Sequence, residues 1–378
     1  MRLDNGRDEN MPKMRVLQMI GSLNIGGSQA FILNLYRNIN RDEVQFDFIL
    51  DHPDQLYYKD EVERFGGKVY YMPSFTGKNL FQVRHAWDVF FSQHPEYKIL
   101  HTHVRSYASI YIPIAHKYGV KTVIHSHSTS NGNGISAFVK RIMQYPLRFQ
   151  ADYFMACSED AGRWLFGEKV CKSNRYSYIP NGIELKKYCF SNTEREKLRS
   201  KYGFEDKHIF IHVGRFHEAK NHKFLLSIFD EINKRVSNAC LVLVGDGELR
   251  DSIEKIINEK NLNNNVRILG YRDDIPELLF AADVFLFPSI WEGLGISVIE
   301  AQAAQLPCIV SDSVPSAVKI SELCHMVSLN DIDSWLKLSC SNLKRKNVMS
   351  DIQRSGYDIK LSAQKIESIY EELYLCGE

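Results

Sequence analysis

His208-Ile-Phe-Ile-His-Val213 runs into Gly214-Arg-Phe-His-Glu-Ala-Lys220 and then into a helical pattern from His222 to Arg235. A short, near-continuous apolar run, a glycine-bearing turn and an amphipathic helix describe a strand covered on both faces and followed by a crossover. The start of the chain repeats this order. Arg15-Val-Leu-Gln-Met-Ile20 leads into Gly21-Ser-Leu-Asn-Ile-Gly-Gly27, and a helical pattern follows from Ser28 to Asn38. Further strands are expected over 46–50, 68–72, 99–102, 121–125 and 153–157, then over 240–244, 266–269, 284–288 and 307–311. The gaps mostly fit crossover helices. The fold class is therefore α/β, with two doubly wound, Rossmann-like domains in tandem.

The domains are expected at 1–187 and 188–361, with the boundary just after Ile179-Pro-Asn-Gly-Ile-Glu184. Residues 188–206 read as a linker with a short helix. An amphipathic helix over 362–375, with Ile366, Ile369, Tyr370 and Leu373 at helical spacing, closes the chain. Residues 312–341 are less regular.

Composition narrows the function. The 378 residues carry 47 basic and 46 acidic side chains, a net charge of +1, with 44% hydrophobic residues. A disordered chain is excluded, and no positive excess supports a nucleic-acid partner. No apolar run approaches the roughly 18 residues of a membrane span, and residues 1–13 lack the apolar core of a signal peptide. A cytoplasmic location is expected. None of the eight cysteines forms a Cys-x-x-Cys pair, so neither a zinc knuckle nor a redox pair is indicated. Cys157, Cys240 and Cys308 read as core.

The chemistry concentrates at strand ends. Pro288-Ser-Ile-Trp-Glu-Gly-Leu-Gly-Ile-Ser-Val-Ile-Glu300 leaves a strand, and a helix is expected to start near Gly295. Gly293, Leu294 and Gly295 then offer backbone N–H groups at a helix N-terminus, which suits an anion. Glu292 and Glu300 bracket the turn, about 12 Å apart if all eight residues rise helically. That is the reach from a sugar across a diphosphate to a ribose, although Glu300 reads equally as a solvated helix position. Gly214, Arg215 and Lys220 stand where an open sheet binds ligands; both cations suit a diphosphate, against the alternative of two solvated surface charges. Gly27 lies in either a binding loop or a tight structural turn. His101-Thr-His103 and His125-Ser-His127 also end strands, and each pair is expected to split, one member turned from the other. A metal would need three or four converging ligands, and core histidines are the alternative; His127, just past its strand, suits an active site better.

Taken together, Gly26-Gly27, His125-Ser-His127, Pro180-Asn-Gly-Ile-Glu184, Val213-Gly-Arg215 with Lys220, Val244-Gly-Asp-Gly247 and Glu292-x7-Glu300 resemble the retaining family-4 glycosyltransferases of bacterial capsule and exopolysaccharide assembly. The resemblance implies the GT-B fold: two Rossmann-like domains facing a cleft, with the C-terminal helix 362–378 crossing back to the first. It implies that Arg215, Lys220 and the 293–295 amides hold the diphosphate. Glu300 would hold the ribose, Glu292 the transferred sugar, and Tyr271 with its loop the base. His127 would sit near the reacting sugar and Gly27 near the diphosphate or acceptor. The implied reaction transfers a hexose or N-acetylhexosamine from a nucleotide sugar, most simply a UDP-sugar, to a glycan or lipid-linked acceptor with retention. It needs no cofactor and no essential metal. Ser316-Ala317 departs from the family pattern, which has a glycine-rich turn and an acidic residue there.

Tyr107, Tyr111, Phe138, Lys140, Arg141, Tyr145 and Arg148 mix aromatics with cations, and read either as a dock for an anionic membrane or acceptor or as a helix packed on the domain. Two rivals share the expected fold: a nucleotide-sugar epimerase and a non-catalytic nucleotide-sugar-binding partner.

Overall fold

The computed structural model describes residues 14–24, 26–53, 56–128 and 135–375. The chain divides into two compact units, one running to Gly182 and resuming at Ile359, the other spanning Ile183–Asp358. The division falls inside the Pro180–Glu184 stretch, a few residues before the boundary expected from sequence.

The first unit contains a parallel sheet of seven strands: β1 Met14–Ile20, β2 Val44–Leu50, β3 Val69–Tyr71, β4 Ile99–Thr102, β5 Lys121–Ser126, β6 Tyr153–Ala156 and β7 Tyr176–Tyr178. Their spatial order is β3-β2-β1-β4-β5-β6-β7. β1 lies centrally, with Val16 beside Phe46 of β2 and Ile99 of β4. Both faces of this sheet are covered, so the strands are apolar with little alternation, as the sequence pattern requires.

The C-terminal helix Ile359–Leu375 supplies Ile359, Ala363, Ile366, Ile369 and Tyr370 to one of the first unit's cores, among Val16, Phe46 and Ile99. Ser362 Oγ and Lys365 Nζ donate to the carbonyls of Pro180 and Tyr178.

The second unit contains a parallel sheet of six strands: β8 His208–Val213, β9 Ala239–Val244, β10 Val266–Gly270, β11 Val284–Phe287, β12 Cys308–Ser311 and β13 Cys324–Val327. Their order is β10-β9-β8-β11-β12-β13. The region that looked irregular contains β13, a 3-10 turn at Ser316–Val318 and the helix Ile332–Ser339. The stretch expected to hold a linker with a short helix contains the eleven-residue helix Asn192–Tyr202, whose Arg195 and Arg199 both pair with Asp283. Among the described residues no helix is long and apolar enough to cross a membrane.

Candidate active site

In each sheet the strand order reverses beside the first strand, between β1 and β4 and between β8 and β11. Open α/β sheets bind ligands outside the carboxyl ends of strands at such points. The loop leaving β8 carries Gly214–Lys220 and the loop leaving β11 carries Pro288–Gly295. Ile290 N–H donates to the Ala219 carbonyl at 2.8 Å, so the two loops are neighbours. Lys220 Nζ meets Glu292 Oε1 at 2.5 Å, with the side chains only 17% and 13% exposed. The same ammonium lies 4.7 Å from the centre of the Phe287 ring. The sequence assigned Lys220 to a diphosphate and Glu292 to a sugar; the structure joins them.

Gly214 supports the lysine. A Cβ built on it would sit 3.1 Å from Lys220 Cε and 3.2 Å from His212 Nε2. Gly214→Ala is expected to push the lysine stem aside by a few tenths of an ångström. The expected loss is about tenfold in kcat/KM with less than about 1 kcal/mol of stability, because positioning errors cost more in rate than in folding. Steady-state kinetics beside a urea melt check both.

The Glu292–Glu300 separation inferred from helical rise does not hold, because the helix spans only Ile296–Ala303. Gly295 precedes it in the left-handed region at φ 94°, where a side chain would be strained, and a Cβ there would press on Phe287 and Val314. The departing segment around Ser316 therefore packs against the helix start. Leu294 is buried in the core and offers only its backbone, while Gly293 is exposed. Glu300 is no solvated helix position. Its Oε1 accepts from the Tyr188 hydroxyl at 2.7 Å, and burial raises its carboxyl to about 7. Tyr188, buried at the end of a short 3-10 turn, carried no functional signal in the sequence.

Arg215 turns elsewhere. Its side chain is 67% exposed and pairs with Glu248 at 3.1 Å, while His217 Nε2 lies 3.6 Å from the same carboxylate. Tyr271 is exposed and its hydroxyl reaches the Asp246 carbonyl at 3.5 Å. Arg215 and Tyr271 thus flank the loop after β9. An exposed ion pair contributes about 1 kcal/mol at most, so Arg215 is easily redirected to an anion.

In the first unit Gly27 opens the helix Gly27–Asn38, and a Cβ there would meet open space. Close packing does not require a glycine at this position. The histidines converge rather than split, as residues two apart on a strand must. His101 and His103 have ring centres 4.3 Å apart, and His125 and His127 4.2 Å apart.

A hydrogen-bond chain sets their tautomers. Gln18 Nε2 donates to the Tyr370 hydroxyl at 3.1 Å, and Gln18 Oε1 lies 3.1 Å from His103 Nε2. His103 Nδ1 lies 2.8 Å from His127 Nε2. Burial holds His127 down to about 3 and His103 well below its ordinary value, so both rings are neutral. His103 Nε2–H then donates to Gln18, and its Nδ1 accepts from His127 Nε2–H. Among the described residues His127 Nδ1 is left as an acceptor without a partner. Of the aromatic and basic mixture, Tyr107 and Tyr111 are core residues, bonded to Asp51 and to the Val104 carbonyl. Phe138, Val139, Ile142, Tyr145 and Phe149 are exposed.

Known proteins match both halves of the chain. Residues 25–187 fit the family described as Glycosyltransferase Family 4, and residues 194–322 fit Glycosyl transferases group 1. EpsF of Bacillus subtilis (strain 168) is 33% identical over 375 residues, covering 96% of this chain and 97% of EpsF. The chain belongs to the family-4 glycosyltransferases. This glycosyltransferase is also 28% identical over 304 residues to the UDP-Gal:alpha-D-GlcNAc-diphosphoundecaprenol alpha-1,3-galactosyltransferase of Escherichia coli, covering 74% and 76% of the two chains. The crystal structure of Anabaena HepE in complex with UDP-glucose superposes on it with a TM-score of 0.74 at 17% identity, covering 95% of this chain and 100% of that one. The fold of the glycosyltransferase is thus GT-B, with two Rossmann-like parallel-sheet units.

Proposed function

We propose that this glycosyltransferase moves a hexose or N-acetylhexosamine from a UDP-sugar to a glycan or lipid-linked acceptor, with anomeric configuration retained, in capsule or exopolysaccharide assembly. The observation that carries the reading is the Lys220–Glu292 pair at the β8/β11 switch point, beside a helix N-terminus. A departing nucleoside diphosphate develops negative charge, and fixed positive potential is what that step needs. Lys220, the 293–295 amides and a redirected Arg215 supply it, so transfer is written without a metal or other cofactor. Glu292 fixes the ammonium and receives hydroxyls of the transferred sugar. Glu300 accepts from the paired ribose hydroxyls, Tyr271 lines the base, Gly27 lets a phosphate or acceptor approach its helix, and His127 Nδ1 accepts from a sugar hydroxyl. Retention follows from departure and attack on one face, guided by the leaving phosphate. The Escherichia coli relative supports the donor and acceptor classes through its named UDP-Gal and diphosphoundecaprenol-linked partners.

Thermal-shift titration against UDP-, GDP-, ADP- and dTDP-sugars tests this. A ligand at a hundred times its Kd stabilises by about 2.7 kcal/mol, so a UDP-sugar should raise the midpoint clearly. Product NMR then reads the anomer. Sugar release or inversion at a ring carbon without acceptor would favour an epimerase, and binding without turnover would favour a non-catalytic role.

The helix Ile135–Gln144 and the residues after it present Phe138, Ile142, Tyr145 and Phe149 beside exposed Lys140 and Arg141. Arg148 stacks 4.6 Å from the Tyr145 ring centre. Apolar anchors with cations suit the anionic inner face of a membrane, where a lipid-linked acceptor resides. Phe138→Ser with Ile142→Ser should cut co-sedimentation with phosphatidylglycerol vesicles about tenfold or more. Unchanged sedimentation would remove the membrane from the proposal.

A further inference from the structure

We propose that His101, His103 and His125 form a binding site in the first unit for a divalent transition ion of the Zn2+ class. The two His-x-His pairs sit at the carboxyl ends of β4 and β5, which are hydrogen-bonded neighbours. One ring nitrogen from each of the three residues lies within 4.8 Å of the other two. Zinc–nitrogen bonds of about 2.05 Å in a tetrahedron put ligand nitrogens roughly 3.4 Å apart, so small side-chain rotations close the site.

Unpaired nitrogens point to a missing ligand. Among the described residues, His101 Nε2 and both nitrogens of His125 are buried with no hydrogen-bond partner. Buried polar atoms are nearly always paired, and each orphan is costly unless something fills it. Two of the three ligands are therefore recruited without breaking any bond. His103 gives up one of its two hydrogen bonds, to Gln18 or to His127, in exchange for coordination.

The surroundings also fit. The remaining nitrogen of a metal-bound histidine is normally held by a second group. His101 Nδ1 lies 2.5 Å from the Tyr370 hydroxyl, itself fixed by Gln18. An all-imidazole set excludes Mg2+ and Ca2+, which take oxygen ligands, and suits zinc and its neighbours. Three neutral ligands leave the ion's charge uncompensated, and half-buried His103 leaves a side on which water or hydroxide completes the tetrahedron. The proposed transfer step uses no metal, so this ion belongs to the histidine array and is read out without donor or acceptor.

Full-length protein stripped with a chelator and titrated with ZnCl2 tests the site, by calorimetry and by thermal midpoint. We expect one ion per chain at micromolar affinity or tighter, a raised midpoint, and no response to Mg2+ or Ca2+. Co2+ should give tetrahedral visible bands without thiolate charge transfer. His125→Asn should abolish binding, and Tyr370→Phe, which keeps the ring but removes the supporting hydroxyl, should weaken it about tenfold to a hundredfold. If His125→Asn does not fold, the Co2+ spectrum and Tyr370→Phe still decide. Absence of stoichiometric binding, a thiolate signature, or affinity unchanged in both variants overturns the proposal.

Discussion

Lys220→Ala is expected to lower kcat/KM for transfer by about a thousandfold, the upper end of what removing one preorganised charge-stabilising donor costs. The lysine is the only cation of the pair with Arg215 that sits in a largely dry setting, against Glu292 and the Phe287 ring. Its charge therefore acts through low dielectric, whereas Arg215 acts from solvent. Stability separates a catalytic role from a structural one. Each single change, Lys220→Ala or Glu292→Ala, strands a partly buried charge and should cost about 2–3 kcal/mol. The double variant strands none and should regain much of that loss in a urea melt, yet remain as inactive as the poorer single. Full turnover in the double variant would defeat the site assignment.

Glu300 gives the second large effect. Its carboxyl rises from 4.5 to about 7 in the folded protein, chiefly through burial, with the Tyr188 hydroxyl opposing. A raised carboxyl means that ionisation favours the unfolded chain. The folded state therefore bears no penalty below about pH 4.5, an increasing one from 4.5 to 7, and a constant one above. Glu300→Gln, which still accepts from Tyr188, should match the wild type at pH 4 and exceed it by about 2 kcal/mol at pH 8. Donor binding should run the other way. A carboxylate accepts from both ribose hydroxyls, while its acid form commits one oxygen to its own proton. Wild-type KM for the donor should fall about tenfold between pH 6 and 8 and stay flat in the Gln variant. A parallel pH profile in the two proteins would remove Glu300 from the ribose.

Much of this was legible in the sequence, for physical reasons that also mark its limits. Strands buried on both faces, such as His208–Val213, leave continuous apolar runs, and glycine turns after them mark strand ends. Those two signals located most strands of both sheets and put Lys220, Glu292 and His127 just beyond strand ends, where open sheets generally bind ligands. β13 escaped because Cys-His-Met-Val is short and only its two ends are buried. Side-chain pairings escaped altogether. Nothing along the chain links Lys220 to Glu292, 72 residues later, or Tyr188 to Glu300, 112 later. Nor does any local pattern send Arg215 to Glu248 rather than towards Lys220. The histidine convergence was within reach, since residues two apart on a strand share a face; reading the pairs as split missed it.

The placement of Ile359–Leu375 in the core of the first unit has a bearing on biogenesis. During synthesis, residues up to Gly182 emerge without Ile366, Ile369 and Tyr370, which complete one face of their sheet. The segment Ile183–Asp358 is contiguous, so its internal contacts do not depend on the last helix. A chain cut before Ile359 therefore keeps the whole of the second unit but leaves the first with an open apolar surface for chaperones to hold.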